Sequence, residues 1–138
     1  MSVALGLDFG TTTLSAIAIR PDGSTAARLT HVHDAAIPGL SAGRSELRLT
    51  TLWDAALAAL GRLSDELCGE RPVCLGFSAQ MHGGLLVDER LNPVTELINW
   101  QDKRGLETAP GATTDVWTEL LGRTTPEAME PTGCRLSP

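Results

Sequence analysis

Turn-forming residues follow the first apolar segment of the chain, at the point where most α/β folds begin a helix. Val3–Leu7 is typical of a strand, and residues 14–34 are typical of two further strands joined by a turn at Pro21–Ser24. Proline presets one backbone dihedral of such a turn, and the glycine of this Pro-Asp-Gly-Ser stretch accepts a positive φ. A hairpin here is incompatible with a doubly wound fold that begins β-α-β, so we predict an antiparallel meander of three strands.

A strongly amphipathic helix is predicted next. Its apolar residues recur three and four positions apart, and they are Leu49, Leu52, Trp53, Ala56, Leu60, Leu63 and Leu67. Ser45 or Thr50 is expected to cap its start, and Trp53 is expected in the core. We then expect a buried strand at Val73–Phe77 and a strand at 84–89. Residues 95–104 are expected to start as a short strand and to end in polar residues, and Asp115 is expected to cap a short helix that runs to about Leu121. This order predicts a mixed α/β domain with a central sheet.

Charge and composition favour a small-molecule ligand. The 138 residues are about one domain in length and carry a net charge of -6. The arginines are scattered and Lys103 is the only lysine, so the sequence offers no basic patch for a nucleic acid. Cys68, Cys74 and Cys134 are an odd number without metal-ligand spacing, which favours reduced thiols. No apolar run approaches a membrane span, and no signal-peptide pattern opens the chain, so we expect a cytoplasmic protein without membrane contact.

The stretch "GLDFGTTT", residues 6–13, carries the first chemical signal. Gly10 leaves space for an anion to approach backbone N–H groups, and Thr11–Thr13 add hydroxyl donors. Asp8 repels a phosphate unless a cation lies between them, and Mg²⁺ favours one or two carboxylates together with phosphate oxygens. The residues therefore indicate a site for the phosphate of a magnesium nucleotide. They are equally compatible with an ordinary β-turn that carries polar residues.

The apolar strand, the D-x-G-T-T sequence and the returning hairpin resemble the first phosphate loop of the superfamily of actin, the heat-shock ATPases and sugar kinases. A second stretch, residues 76–104, resembles the FGGY family of carbohydrate kinases. Its matching segments are Gln80-Met81-His82-Gly83, Val87-Asp88, Asn92-Pro93-Val94 and Ile98-Asn99-Trp100-Gln101-Asp102-Lys103-Arg104. Met-His resembles the pentulose and heptulose kinases, whereas glycerol kinases carry Arg-Glu there. The "WQD" form is closer to sedoheptulokinases, and xylulokinases typically show W-N-D.

The resemblance implies a ribonuclease H-like α/β fold, with a mixed sheet and flanking helices, of which the chain is an incomplete first domain. It implies ATP-dependent phosphorylation of a ketose such as sedoheptulose or xylulose, with Mg²⁺. Asp8 would organise the magnesium and the transferring phosphate, directly or through water. The remaining roles fall on Gly10, Thr11, Thr12 and Thr13 for the γ-phosphate, and on Gln80, Met81, His82 and Asp102 for the sugar.

The resemblance also implies what lies elsewhere. The general base, the adenine site and the second domain are expected beyond residue 138, so the isolated chain is expected to be inactive. Ser15 stands where relatives often carry Arg or Lys, which puts tight phosphate binding in doubt. Asp102 and Arg104 are also compatible with a structural ion pair, which we favour, and Trp100 with packing. An apolar face left exposed by the missing part predicts self-association.

Two other readings of the residues remain. His31 and His33 alternate along a strand, where a metal ion would find two imidazoles on one face. The sequence shows no second cluster of ligands, which favours solvated histidines. At the level of function, the alternatives are a non-catalytic remnant that binds sugar or nucleotide, and a fragment of an actin-like or heat-shock-type ATPase. The Gln-Met-His-Gly segment speaks against the ATPase.

Overall fold

The computed structural model describes residues 2–123, and its backbone contacts divide the chain into two compact units, Met1–Gln101 and Asp102–Pro138. The first unit contains β1 (Ser2–Phe9), β2 (Thr13–Ile19), β3 (Thr25–Val32), β4 (Glu46–Leu47), α1 (Leu49–Glu66), β5 (Arg71–Ala79) and β6 (Leu97–Ile98). The second contains a 3₁₀ turn (Arg104–Leu106) and α2 (Val116–Arg123). Each unit is described separately.

The predicted meander is confirmed. β1 pairs antiparallel with β2, and β2 pairs antiparallel with β3. The turn between β2 and β3 forms at the predicted residues: Gly23 has a φ of 85°, and the Ser24 amide donates to Asp22 Oδ1 at 2.9 Å. Beside this turn, the guanidinium of Arg20 binds both carboxylate oxygens of Glu70. That hydrogen bonding holds the pKa of Glu70 below its ordinary value, and it ties the hairpin to the connection after α1.

A parallel strand completes the main sheet. Its strand order is β3-β2-β1-β5, and β5 pairs parallel with β1 after the chain has crossed through α1. The sheet is therefore mixed, as predicted. Because β1 and β5 are parallel neighbours, the loops that follow them leave the same edge of the sheet. These two loops carry the two motifs identified in the sequence.

The start of α1 is capped by a residue that lies far away in the sequence. The predicted caps, Ser45 and Thr50, are wrong: Arg48 is the N-cap and contributes no side-chain bond. Instead, the Leu49 amide donates to Glu96 Oε2 at 2.7 Å. The small antiparallel pair of β4 and β6 explains this contact, because it brings the residue before β6 next to the residue before α1. A carboxylate at this end of a helix also interacts favourably with the helix dipole.

Alanines and leucines form the core between α1 and one face of the sheet. The buried residues of the main cluster are Val3, Leu7, Leu14, Ala16, Ala18, Ala27, Leu29, Ala56, Ala59, Leu63 and Leu67. The expectation that Trp53 lies in this core is wrong, since it is 65% exposed. The buried residues of α1 are Leu52, Ala55, Ala56, Ala59 and Leu63, and Trp53 lies at the side of this helix face. Trp53 instead lines an apolar recess beside the start of α1, together with Phe9 and Gly83.

Two predicted strands differ from the structure. Residues 84–89 form no strand, only isolated bridges between Gly84 and Ile98 and between Val87 and Pro93. The chain turns tightly here, because both carboxylate oxygens of Asp88 accept hydrogen bonds from Asn92. These hydrogen bonds hold the pKa of Asp88 below its ordinary value. The strand predicted at 73–77 is present within β5, but all nine of its residues are exposed. β5 is an edge strand of this sheet.

The second unit contains the predicted short helix. The Asp115 carboxylate accepts from the Thr118 amide at 2.7 Å and so caps α2, as expected. The Trp117 side chain lies beside Gly105 in this unit. Residues 124–138, including Cys134, lie outside the described residues, whereas Cys68 and Cys74 are unpaired and exposed. Among the described residues, no helix is long and apolar enough to cross a membrane.

Candidate functional site

The two motif loops begin side by side at the carboxyl ends of β1 and β5. The Gln80 amide, directly after β5, donates to the carbonyl oxygen of Phe9, the last residue of β1, at 2.9 Å. Gly10 and its threonines follow on one side of this bond, and Met81 and His82 follow on the other. In open α/β sheets, ligands typically bind at the carboxyl ends of neighbouring parallel strands. The fold thus brings the loop after β1 and the loop after β5 to one place.

The loop between β1 and β2, residues 10–12, is tight and requires glycine at its first position. The Gly10 amide donates to the Thr13 carbonyl oxygen at 2.9 Å. A Cβ atom at Gly10 would lie 2.9 Å from that same oxygen, which is inside van der Waals contact. Within residues 2–123, the amides of Thr11 and Thr12 donate to no backbone or side-chain acceptor. Two neighbouring free N–H groups in a loop are the donors that an anion-binding turn supplies.

Thr11 joins the loop after β1 to two segments of the second motif, the one that begins at Gln80 and the one that contains Trp100. Its hydroxyl donates to Gln80 Oε1 at 3.1 Å and accepts from Trp100 Nε1 at 3.1 Å. The expectation that Trp100 is a packing residue is wrong, because its side chain is 56% exposed. An indole N–H needs a polar partner, and Trp100 finds it in Thr11 while its ring lies largely in solvent. Three separate pieces of sequence therefore meet at one hydroxyl group.

A buried amide fixes the backbone just before Trp100. Asn99 is 2% exposed, and its Nδ2 donates to Ser45 Oγ at 2.8 Å. Its Oδ1 accepts from the Gln101 amide at 2.8 Å. The residues on both sides of Trp100 are therefore held in place. Neither Asn99 nor Ser45 was expected to take this role, because the contact that joins them spans more than fifty residues.

Asp8 lies in a polar row across the sheet, on the face opposite α1. In register it stands opposite Ser15 on β2 and Ser78 on β5, and Ser15 Oγ is 3.2 Å from Thr30 Oγ1. An open depression of about 500 Å³ is lined by Asp8, Ser15, Ser78 and Arg28. Relatives often carry a basic residue at position 15, where this chain has Ser15. Arg28 supplies a positive charge on the same face of the sheet. Ser15, Ser78 and Arg28 were not predicted as site residues, although the alternation of the strands places them beside Asp8.

The loop after β5 presents its predicted residues to solvent. Met81 is 75% exposed, and His82 is exposed with a φ of 59°. A left-handed conformation is uncommon for a residue with a side chain and costs about 1–2 kcal/mol. Strain of this kind clusters at ligand-binding positions. Gly83 permits a close approach, since a Cβ there would lie 3.3 Å from the Ile98 carbonyl oxygen. This glycine therefore serves packing against β6.

Asp102 belongs to the second unit, where it forms the ion pair that the sequence favoured. Arg104 donates from its amide and from Nε to Asp102 Oδ1, and from its terminal nitrogen to Oδ2, each at 2.8 Å. The Asp102 side chain is 3% exposed. These contacts satisfy both carboxylate oxygens from within the same short segment, so the observed role of Asp102 is to fix the chain at the start of this unit.

The two histidines of the "HVHD" stretch differ in their surroundings. His31 is half-buried in β3, but the expectation that His33 is solvated is wrong, since it is 7% exposed. Its Nε2 lies 3.2 Å from the Gly10 carbonyl oxygen. Within residues 2–123, no three His, Cys, Asp or Glu side chains are grouped so as to hold a metal ion. The period-two pattern singled out this stretch, but not its contact with the loop after β1.

Comparison with known proteins identifies the family of the chain. Residues 3–128 match the family model of the N-terminal domain of the FGGY family of carbohydrate kinases. The chain belongs to this family. The FGGY kinases have the ribonuclease H-like fold of actin, hexokinase and the heat-shock ATPases, and the mixed sheet described above is part of it.

Individual FGGY kinases resemble the chain at modest identity. It is 27% identical over 104 residues to the xylulose kinase of Staphylococcus xylosus, and 26% identical over 103 residues to the gluconokinase of Bacillus subtilis. Each alignment covers 75% of this chain but only 21% and 20% of the respective relative. The crystal structure of xylulose kinase from Rhodospirillum rubrum matches with a TM-score of 0.75 and 26% identity, covering 92% of this chain and 24% of that one. The chain thus spans about a fifth of the length of these curated relatives.

Proposed function

We propose that the chain supplies the phosphate-holding and sugar-holding loops of a cytoplasmic, ATP-dependent kinase that phosphorylates a ketose such as xylulose or sedoheptulose. The observation that carries this proposal is the Thr11 hydroxyl, bound to both Gln80 and Trp100. A kinase must hold a phosphoryl donor and an acceptor hydroxyl in line, and a shared anchor for both loops fixes their separation. Membership of a family of carbohydrate kinases supports sugar as the acceptor.

On the phosphate side, the free amides of Thr11 and Thr12 and the hydroxyls of the loop are donors for the oxygens of a terminal phosphate. Asp8 fits a role beside Mg²⁺, because a carboxylate next to phosphate oxygens needs a cation between them. Magnesium bound there would neutralise charge on the transferring phosphoryl group. The described residues hold no cluster of metal ligands, so Asp8 would act together with phosphate oxygens and water.

On the sugar side, Met81 and His82 are exposed side chains that can contact a carbohydrate. His82 offers a ring nitrogen to a hydroxyl, and Met81 offers an adaptable apolar surface. Gln80 has a different part, since its carbonyl oxygen accepts from Thr11. Its role is to orient the phosphate loop. Asp102 was the fourth candidate for the sugar, but both of its carboxylate oxygens accept from Arg104, so we propose a structural role for it.

Calorimetric titration with magnesium and a non-hydrolysable ATP analogue tests the phosphate side. We expect binding that strengthens with Mg²⁺, and we expect Asp8→Asn to remove that strengthening. Asp54→Asn is the matched control, because it makes the same change at an exposed position of α1. Equal magnesium dependence in both variants would contradict the role of Asp8.

A coupled ADP-release assay with xylulose, sedoheptulose and gluconate tests the sugar and the catalytic state. We expect no turnover by the 138-residue chain, because the general base is expected outside it. Turnover above background would overturn that expectation. Calorimetric titration with the same sugars ranks them by affinity. We expect His82→Ala to weaken binding of the sugar that the wild type binds most tightly.

The main alternative is a non-catalytic protein that binds sugar or nucleotide. Ligand binding without turnover in every longer form of the protein would favour it. An actin-like or heat-shock-type ATPase would instead hydrolyse ATP at a rate insensitive to sugars, and membership of the FGGY family speaks against it.

Self-association through β5 is a further part of the proposal. Val73 and Phe77 are 69% and 68% exposed on this edge strand, whose outer backbone groups can pair with a second copy. Light scattering should detect oligomers that Phe77→Ser reduces. A monodisperse monomer at high concentration would contradict this proposal.

A further inference from the structure

His33 is a buried titratable residue that the proposed reaction does not use. Its backbone amide donates to the Thr12 carbonyl oxygen at 3.0 Å, and its imidazole Nε2 lies 3.2 Å from the Gly10 carbonyl oxygen. The other ring nitrogen, Nδ1, is buried and has no partner among the described residues. His33 therefore contacts the loop after β1 twice, once through the backbone and once through the side chain.

The contact with Gly10 fixes the position of the ring hydrogen. A carbonyl oxygen can only accept a hydrogen bond, so Nε2 must carry the hydrogen. In a neutral imidazole this is the Nε2–H tautomer, with the lone pair on Nδ1. An apolar side chain of similar size would fill the same space but leave the Gly10 carbonyl oxygen without this donor.

Peptide geometry carries the effect of this bond to the other side of the loop. The peptide unit that joins Gly10 and Thr11 is planar, and its C=O and N–H groups point in opposite directions. Holding the Gly10 oxygen on His33 therefore directs the Thr11 N–H away from the imidazole. That N–H is one of the two loop amides that donate to nothing within residues 2–123. The side chain of the same Thr11 is held separately by Gln80 and Trp100.

We propose that His33 is a positioning residue: its imidazole holds the Gly10–Thr11 peptide in the one orientation that presents the Thr11 amide to an anionic ligand. The phosphate nature of that ligand rests on the proposed function, whereas the orientation of the peptide does not. His33 does not touch the ligand and acts only through the loop. A residue that merely filled space under the loop would not need a donor at Nε2.

The test compares His33→Gln with His33→Leu in the 138-residue chain. A glutamine side chain offers an N–H at nearly the reach of Nε2, whereas leucine offers similar bulk without a donor. We expect His33→Leu to weaken binding of the magnesium-bound ATP analogue by about three- to tenfold, the range of one lost hydrogen bond. We expect His33→Gln to recover most of the affinity. His31→Leu is the matched control, and it should leave the affinity unchanged.

Nuclear magnetic resonance decides the positioning role without any ligand. The wild-type imidazole should show the Nε2–H tautomer, and His33→Leu should shift the Gly10 carbonyl and Thr11 amide resonances, which His33→Gln should restore. An Nδ1–H tautomer, or Gln and Leu variants with identical loop resonances, would overturn the proposal. If the wild-type chain binds no nucleotide but the loop responds as expected, the proposed function fails and the positioning role stands. If His33→Leu does not fold, the tautomer of the wild type still decides.

Discussion

Gly10 and Gly61 provide a matched pair of glycine-to-alanine substitutions with opposite expected effects. At Gly10 the added methyl carbon would lie 2.9 Å from the Thr13 carbonyl oxygen, which the Gly10 amide itself binds at 2.9 Å. The backbone atoms of this hairpin turn cannot move aside without loss of the hydrogen bond between Gly10 and Thr13. We therefore expect Gly10→Ala to reduce the free energy of unfolding by about 1–3 kcal/mol, as for other overpacked sites.

At Gly61, by contrast, no atom lies within 4 Å of the added carbon. This residue is exposed in the middle of α1, where alanine has a higher helix propensity than glycine by about 0.8–1 kcal/mol. Gly61→Ala should therefore raise the free energy of unfolding by about that amount. The two predictions come from the same chemical change and differ only in the surroundings of the methyl group.

Urea unfolding of the 138-residue chain, followed by far-UV circular dichroism, measures both changes. The midpoints should move in opposite directions at a constant m value. The analogue titration adds a second readout, since Gly10→Ala should also weaken nucleotide binding while Gly61→Ala should not. A Gly10→Ala protein as stable as the wild type, with unchanged affinity, would refute the claim that this loop excludes a side chain.

Three further predictions concern the scaffold. Glu96→Gln should lower the free energy of unfolding by about 0.5–1 kcal/mol in urea titrations, because the first amide of α1 loses a charged acceptor; a neutral result would show that the cap contributes nothing. Leu63→Ala should cost about 2–5 kcal/mol because Leu63 is fully buried, whereas the exposed Leu57→Ala of the same helix should cost far less; equal costs would contradict the assigned core. Glu70→Gln should be less stable than the wild type at neutral pH: hydrogen bonding to Arg20 lowers the pKa of Glu70 in the folded state, so this stabilisation is present above the ordinary value of 4.5 and is lost as pH falls through the folded-state pKa. The melting temperatures of Glu70→Gln and the wild type should therefore converge as the pH is lowered from 7 to 3. A difference that persists in acid would rule out the linkage.

Local signals in the sequence were sufficient for the meander and for α1. The turn at Pro21–Ser24 depends on the backbone preferences of its own residues, and the apolar spacing of α1 depends on the period of a helix. Both kinds of signal act over a few residues. The same is true of the Asp102–Arg104 ion pair, whose partners are two positions apart.

Contacts between distant segments were beyond such signals. The cap from Glu96 and the burial of Asn99 both depend on the short pairing of β4 with β6, and strands of two residues leave no periodic pattern. Trp53 was misplaced because an apolar stripe does not reveal which of its members face the sheet. The buried face of α1 is centred on Ala56, Ala59 and Leu63, and Trp53 lies beside it.

The candidate site shows the same division. The D-x-G-T-T and Q-M-H-G motifs pointed to two loops that the structure places side by side, because small and polar residues after a strand are visible in the sequence. The hydrogen bonds of Thr11 to Gln80 and Trp100 were not visible, since they join positions 69 and 89 residues apart. The contact of His33 with Gly10 was missed because a period-two pattern describes a strand face and not the loop beyond it.

The side-by-side exit of the two loops from β1 and β5 has an evolutionary consequence. Neighbouring strands are spaced about 4.8 Å apart by their backbone hydrogen bonds, whatever side chains they carry. Mutations after residue 80 can therefore reshape what one loop recognises while the distance to the other loop stays constant. Under the proposed function, a lineage built on this frame can change its acceptor without redesigning the way it holds its donor.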